Sequence, residues 1–111
     1  MSQNIPRVFG RIVAGLRQEL GVSQVSFAAE LGWDVGRLAR IETGRSDASV
    51  SHVFVLGEAF CERGFIQGSG ELMRLVSLVV AELERRPAAR LERVVSVVLD
   101  RWFHPETLEA S

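Results

Sequence analysis

Apolar residues recur at helical spacing along most of the chain. Val8, Ile12, Val13, Leu16 and Leu20 form a first stripe. Pro6 suits the opening turn, where its missing N–H leaves no bond unmade, and Gly21 ends the helix. Val25, Ala28, Ala29 and Leu31 mark one side of a shorter second helix. Ser23 is its candidate N-cap, and Gly32 lies just past its end. Leu38 and Ile41 form the apolar side of a third helix, with Asp34 as its cap and Gly44 closing it. After a loop over Thr43–Asp47, Ser49 caps a fourth helix carrying Val50, Val53, Phe54, Leu56, Gly57 and Phe60 and ending near Gly64. Gly57 there either permits close packing or is tolerated at a cost of about 1 kcal/mol.

Gly64-Phe65-Ile66-Gln67-Gly68-Ser69-Gly70 reads as a loop and is the best internal boundary, dividing a unit 1–64 from an extension 65–111. Ser69 is a candidate cap for the next helix. Leu72, Leu75, Val76, Val79 and Leu83 make one stripe; Leu91, Val94, Val95, Val98, Leu99 and Trp102 make another. The spacing predicts two helices hinged at Pro87. Valine-rich runs also suit strands, but each segment is long for a strand and lacks interior turn residues. Such a hairpin needs its apolar face covered. Either it folds onto helices one and four, or it pairs with a second copy of the chain.

The chain has 111 residues, enough for one domain or a small domain with an extension, and 47% of them are apolar. No apolar run approaches membrane-spanning length, and Met1–Pro6 does not read as a signal peptide; Met1–Ile5 is read as disordered or as a short arm. The single cysteine, Cys61, has no internal disulfide partner and falls in an apolar pattern, as a core thiol would. These features point to the cytoplasm. The net charge of −1 is unevenly spread: residues 7–45 carry six arginines against four acids, the rest seven against ten. A weakly positive front half fits a nucleic-acid face. All thirteen basic residues are arginine, which suits bidentate contacts to phosphate or guanine, although genome base composition explains the bias equally well.

Enzyme chemistry finds little footing. His52 and His104 stand apart without a ligand set, and Gly64–Gly70 lacks the lysine of a phosphate loop. Glu82, Glu84 and Glu92 read as charges on helix surfaces. No cofactor or metal is implied.

Two short helices over a glycine turn make a helix-turn-helix, whose second helix enters the major groove. The stretch Leu20–Arg45 resembles the Cro and phage-repressor (XRE-type) family. Ser23-Gln24 opens the first motif helix, Ala28-Ala29 lies inside it, and Leu31-Gly32 ends it. Ile41-Glu42-x-Gly44-Arg45 ends the second, and Leu16-Arg17 upstream also fits. The resemblance covers roughly Val8–Phe60. It implies an all-α, lambda-repressor-like DNA-binding domain, here with a C-terminal helical hairpin. It implies a sequence-specific regulator, a repressor occluding polymerase, that binds double-stranded DNA.

Val35, Gly36, Arg37 and Arg40 then become groove candidates. Arg40 is expected to read guanine and Val35 to touch a thymine methyl. Gly36 permits close backbone approach, and Arg37 reaches base or phosphate. Ser23, Gln24 and Arg45 are phosphate candidates. The plainer readings are caps for Ser23 and Asp34, solvated charge for Arg37 and Arg40, and a helix-dipole contact for Arg45. Glu42 matches a structural glutamate of the family. Trp33 is expected in the core, or stacked on a partner. Phe27, Asp34 and Gly36 depart from the family pattern. A homodimer through the C-terminal helices would read an imperfect palindrome. The different-class alternative is an interaction module of the same fold that binds a protein, such as a toxin or a phage or host factor.

Overall fold

The structure, a computed structural model, describes residues 4–106. Its first helix, α1 (Ile5–Leu20), opens on Asn4, whose Oδ1 accepts from the Arg7 N–H at 3.2 Å. This cap draws Asn4 and Ile5 into the fold, against the expectation of a disordered stretch or short arm there; Met1–Gln3 lie outside the described residues. So do residues 107–111, the end of the expected extension. Then come α2 (Gln24–Leu31), α3 (Val35–Glu42), α4 (Val50–Glu62), α5 (Ser69–Arg85) and α6 (Leu91–Phe103). No strand occurs among the described residues, so the valine-rich segments are helices and the fold is all-α.

α1 is the hub and packs on α3, α5 and α6, while α4 packs on α2 and α5. The expected stripes of α1, α5 and α6 merge into one buried cluster with Phe27, Leu38, Ile41, Leu56 and Phe60. Two glycines make the crossings possible. A Cβ on Gly10 would lie 2.1 Å from the Ile41 carbonyl oxygen, so α1 rests directly on the last turn of α3. A Cβ on Gly57 would lie 2.6 Å from the Ser69 Cα, which decides for close packing of α4 on α5.

Several expectations are corrected. In α2 the buried residues are Phe27 and Ala28, while Val25 is 67% exposed. A phenyl ring fills more core volume than a valine, and Phe27 stacks on Phe60 with centroids 5.2 Å apart. In α4, Val50 and Phe54 face outward, and so does Cys61, because Leu56, Gly57 and Phe60 define the inner face. Ser69 is the first residue of α5 rather than its cap; Gly68 takes that place, and the Glu71 carboxylate accepts from the Gln67 N–H at 2.8 Å.

Glu82 is not a surface charge. It is 7% exposed at the end of the core, with Arg85, Arg86 and Arg101 within 3.8 Å of its carboxylate. The glycine-rich connection is anchored as well. Ile66 is buried, Phe65 meets Phe103 edge-on, and the Trp102 indole N–H donates to the Phe65 carbonyl at 3.1 Å.

Candidate nucleic-acid interface

The Ser23 hydroxyl accepts from the Ser26 N–H at 3.1 Å and so starts α2 as a cap. Gly32, at φ 72°, ends it, and the Trp33 N–H then returns to the Ala28 carbonyl at 2.9 Å. This pair of features fixes the turn into α3. Trp33 sits half-buried at the core edge, with its ring 5.0 Å from that of His52. His52 and Ser49 form a reciprocal cap that starts α4.

α3 divides its residues cleanly. Leu38, Ile41 and Glu42 are buried; Val35, Arg37 and Arg40 are exposed. Asp34 stands at the N-cap but makes no side-chain capping bond, which corrects the expectation. Its carboxylate lies instead beside Gly36, with Oδ2 2.8 Å from where a Cβ would be. The Arg40 Nη1 lies 3.1 Å from that same point. Gly36 thus leaves the room in which the Arg40 guanidinium folds back over the first turn of α3. That direction is natural for a helical side chain, which leans toward its own N-terminus.

Behind this surface lies a buried ion pair. Arg17 Nε donates to Glu42 Oε2 at 2.7 Å and Nη2 donates to Oε1 at 3.1 Å, a bidentate arrangement. Arg17 Nη1 also donates to the Val22 carbonyl at 2.9 Å, and Gln24 Nε2 donates to Glu42 Oε1 at 2.8 Å. One carboxylate therefore ties α1, the start of α2 and the end of α3 together. Gln24 keeps a second amide N–H, which Glu42 does not use. Sequence reasoning identified Glu42 as structural but missed its partnership with Arg17. The signal was there: Glu42 follows Leu38 at helical spacing, and a charge on a buried stripe calls for a buried partner.

Ser23, Val35, Arg37, Arg40 and Arg45 are exposed, and Gln24 and Gly36 are half-buried. All seven lie on α2, α3 and the turns that flank them. Arg45 lies three residues past the end of α3, and its N–H donates to the Arg40 carbonyl at 2.9 Å. Sequence reasoning did not bring Arg7 to this region. Yet a Cβ on Gly44 would lie 2.7 Å from the Arg7 Cα, so α1 begins against the turn that carries Arg45. Among the described residues no group of three metal-ligating side chains gathers, and no helix is long and apolar enough to cross a membrane.

Residues 13–60 match a family profile described as Helix-turn-helix. No curated protein and no solved structure matches the chain. The matched span runs from the middle of α1 to Phe60 and contains the turn, the recognition-type helix and the Arg17–Glu42 pair. Residues 13–60, a little under half of the chain, are thus similar to the Helix-turn-helix family, in keeping with the resemblance to the Cro and phage-repressor type.

Proposed function

We propose that the protein is a sequence-specific transcriptional regulator that inserts the start of α3 into the major groove of double-stranded DNA. The observation that carries this reading is the division of α3, with Val35, Arg37 and Arg40 outward on a helix whose other face is locked by Leu38, Ile41 and Glu42. A rigid helix with an outward arginine can present a bidentate donor pair to guanine O6 and N7. Arg40 reads guanine, Val35 meets a thymine methyl, and Gly36 seats the Arg40 side chain. Arg37 reaches base or phosphate at the groove edge. Ser23, Gln24 and Arg45 hold phosphates on either side, Gln24 through the N–H that Glu42 leaves free. The regulator acts in the cytoplasm as a homodimer, reads half-sites about one helical turn apart, and represses by occluding polymerase. It needs no cofactor and performs no catalysis.

The dimer contact uses the outer faces of the C-terminal helices, since their inner stripes are buried in the protomer core. Met73 and Leu78 are the exposed apolar residues of α5. Val50 and Phe54 on α4, 74% and 56% exposed, favour the second reading, an interaction module that binds a protein partner.

The deciding experiment is selection of bound duplexes from a random DNA pool by the whole chain and by Arg40→Ala. A palindromic consensus that loses one base preference in the variant supports a dimeric DNA reader with Arg40 in the groove. An asymmetric single half-site removes the dimer. Failure to enrich any sequence at low salt transfers the function to the protein-binding reading.

A further inference from the structure

We propose that the corner where α1 and α6 begin is a second phosphate site, which grips the DNA backbone beside the groove contact. This rests on the DNA-binding reading and extends it to residues outside the matched span 13–60. Arg7, Arg90 and Arg93, with Leu91 and Glu92, line an open groove of about 630 Å³, ample for a phosphodiester. Arg7, Arg90 and Arg93 are exposed. Arg11 lies one turn along α1 from Arg7, and its Nε is buried without a hydrogen-bond partner among the described residues. Three arginines thus line one groove beside the Glu92 carboxylate, and Arg11 lies near enough to act on that carboxylate.

That carboxylate reports the field it sits in. Glu92 pairs with Arg7 at 3.5 Å. Its own backbone N–H, at the start of α6, holds its pKa below the usual glutamate range, helped by the charges of Arg11 and Arg7. The corner is therefore already built around an anion. Both partners of the Arg7–Glu92 pair are about half exposed, so the pair is weakly held and Arg7 is free to exchange it for a phosphate.

Position assigns the phosphate to DNA. Through its contact with Gly44, Arg7 adjoins the turn that carries Arg45, so the arginine corner begins beside the end of α3. A protein held by α3 in the groove would bring the strand flanking it toward Arg7, Arg90 and Arg93. Phosphate contacts of this kind set register and carry no base information.

The test is a titration of full-length protein against a selected duplex and a random duplex over a range of salt. Wild type is compared with Arg40→Ala, Arg7→Gln, Arg90→Gln/Arg93→Gln and Glu92→Gln, each checked for fold by circular dichroism. The double variant is expected to weaken binding to both duplexes about fivefold to tenfold and to reduce the salt slope by about one per arginine. Its selected consensus stays that of wild type, and Glu92→Gln tightens binding at low salt. The corner is overturned if wild type binds, Arg40→Ala weakens binding, and the double variant matches wild type in affinity and slope. It is also overturned if inorganic phosphate raises the melting temperature of wild type but not of the double variant while DNA affinity is the same for both, since the site would then serve a free phosphate. A wild type that binds no DNA removes the underlying reading instead.

Discussion

Replacing Gly10 by alanine sets two effects of opposite sign against each other. A methyl group in the middle of α1 gains about 1 kcal/mol from helix propensity. That methyl would sit 2.1 Å from the Ile41 carbonyl oxygen and 2.7 Å from that of Glu42, where ordinary contact is 3.4–4 Å. Both obstacles are backbone atoms in the last turn of α3 and cannot rotate away. α1 must retreat by about 1 Å, which loses dispersion contacts across the interface and stretches the Arg17–Glu42 pair. Overpacking of this kind costs about 1–3 kcal/mol, and immovable obstacles put the cost at or above the top of that range. Gly10→Ala is therefore expected to destabilise the protein by about 2 kcal/mol after the propensity gain.

Gly15→Ala, in the same helix, is the control. Its Cβ would meet the Leu99 Cδ1 at 2.6 Å, the far end of a side chain that can turn aside. It gains the same propensity and should stay within about 1 kcal/mol of wild type. Urea denaturation followed by far-UV circular dichroism measures both variants. Equal stability within about 0.5 kcal/mol would refute the claim that Gly10 is required by the approach of α1 to α3.

Glu42→Gln leaves the Arg17 guanidinium buried without its counter-charge and is expected to cost about 3 kcal/mol in the same assay. Ser23→Ala should cost about 1 kcal/mol, whereas Asp34→Ala, which breaks no capping bond, should cost less than about 0.5 kcal/mol. Because Glu92 has a lowered pKa in the folded protein, its contribution is present at neutral pH and is lost as pH falls through that lowered value. Stability curves of wild type and Glu92→Gln should therefore differ at neutral pH and converge in acid; a constant gap across the titration would contradict the assignment.

The helices were legible because their signals are local. Ser23, Gly32, Ser49 and Gly21 mark boundaries through their own backbone preferences, and the α5 and α6 stripes repeat over several turns. Errors arose where a second residue competed for the same face. Val25 and Phe27 both fit a two-turn helix, and ring volume rather than spacing decided for Phe27. Glu82 falls on the buried stripe, seven residues after Leu75 and three after Val79, but its charge type argued for the surface. Arg85 and Arg86 from its own helix end and Arg101 from α6 together make its burial tolerable. In the candidate site, the exposed face of α3 could be read from periodicity. The meeting of Arg7 with Arg90 and Arg93 could not, since it depends on how α6 returns to α1.

The return of α6 to α1 also bears on how the protein is made. The Gly15 side of α1 is covered by Val95 and Leu99, residues translated long after it. The helix-turn-helix half leaves the ribosome first, with that side bare. At roughly 5–20 residues per second, the wait from Phe60 to Phe103 lasts a few seconds. Throughout it, the nascent chain presents an apolar surface that suits chaperones and aggregation alike. A product terminated at Gly64 would keep α1 to α4 and never gain the cover that α1 folds against.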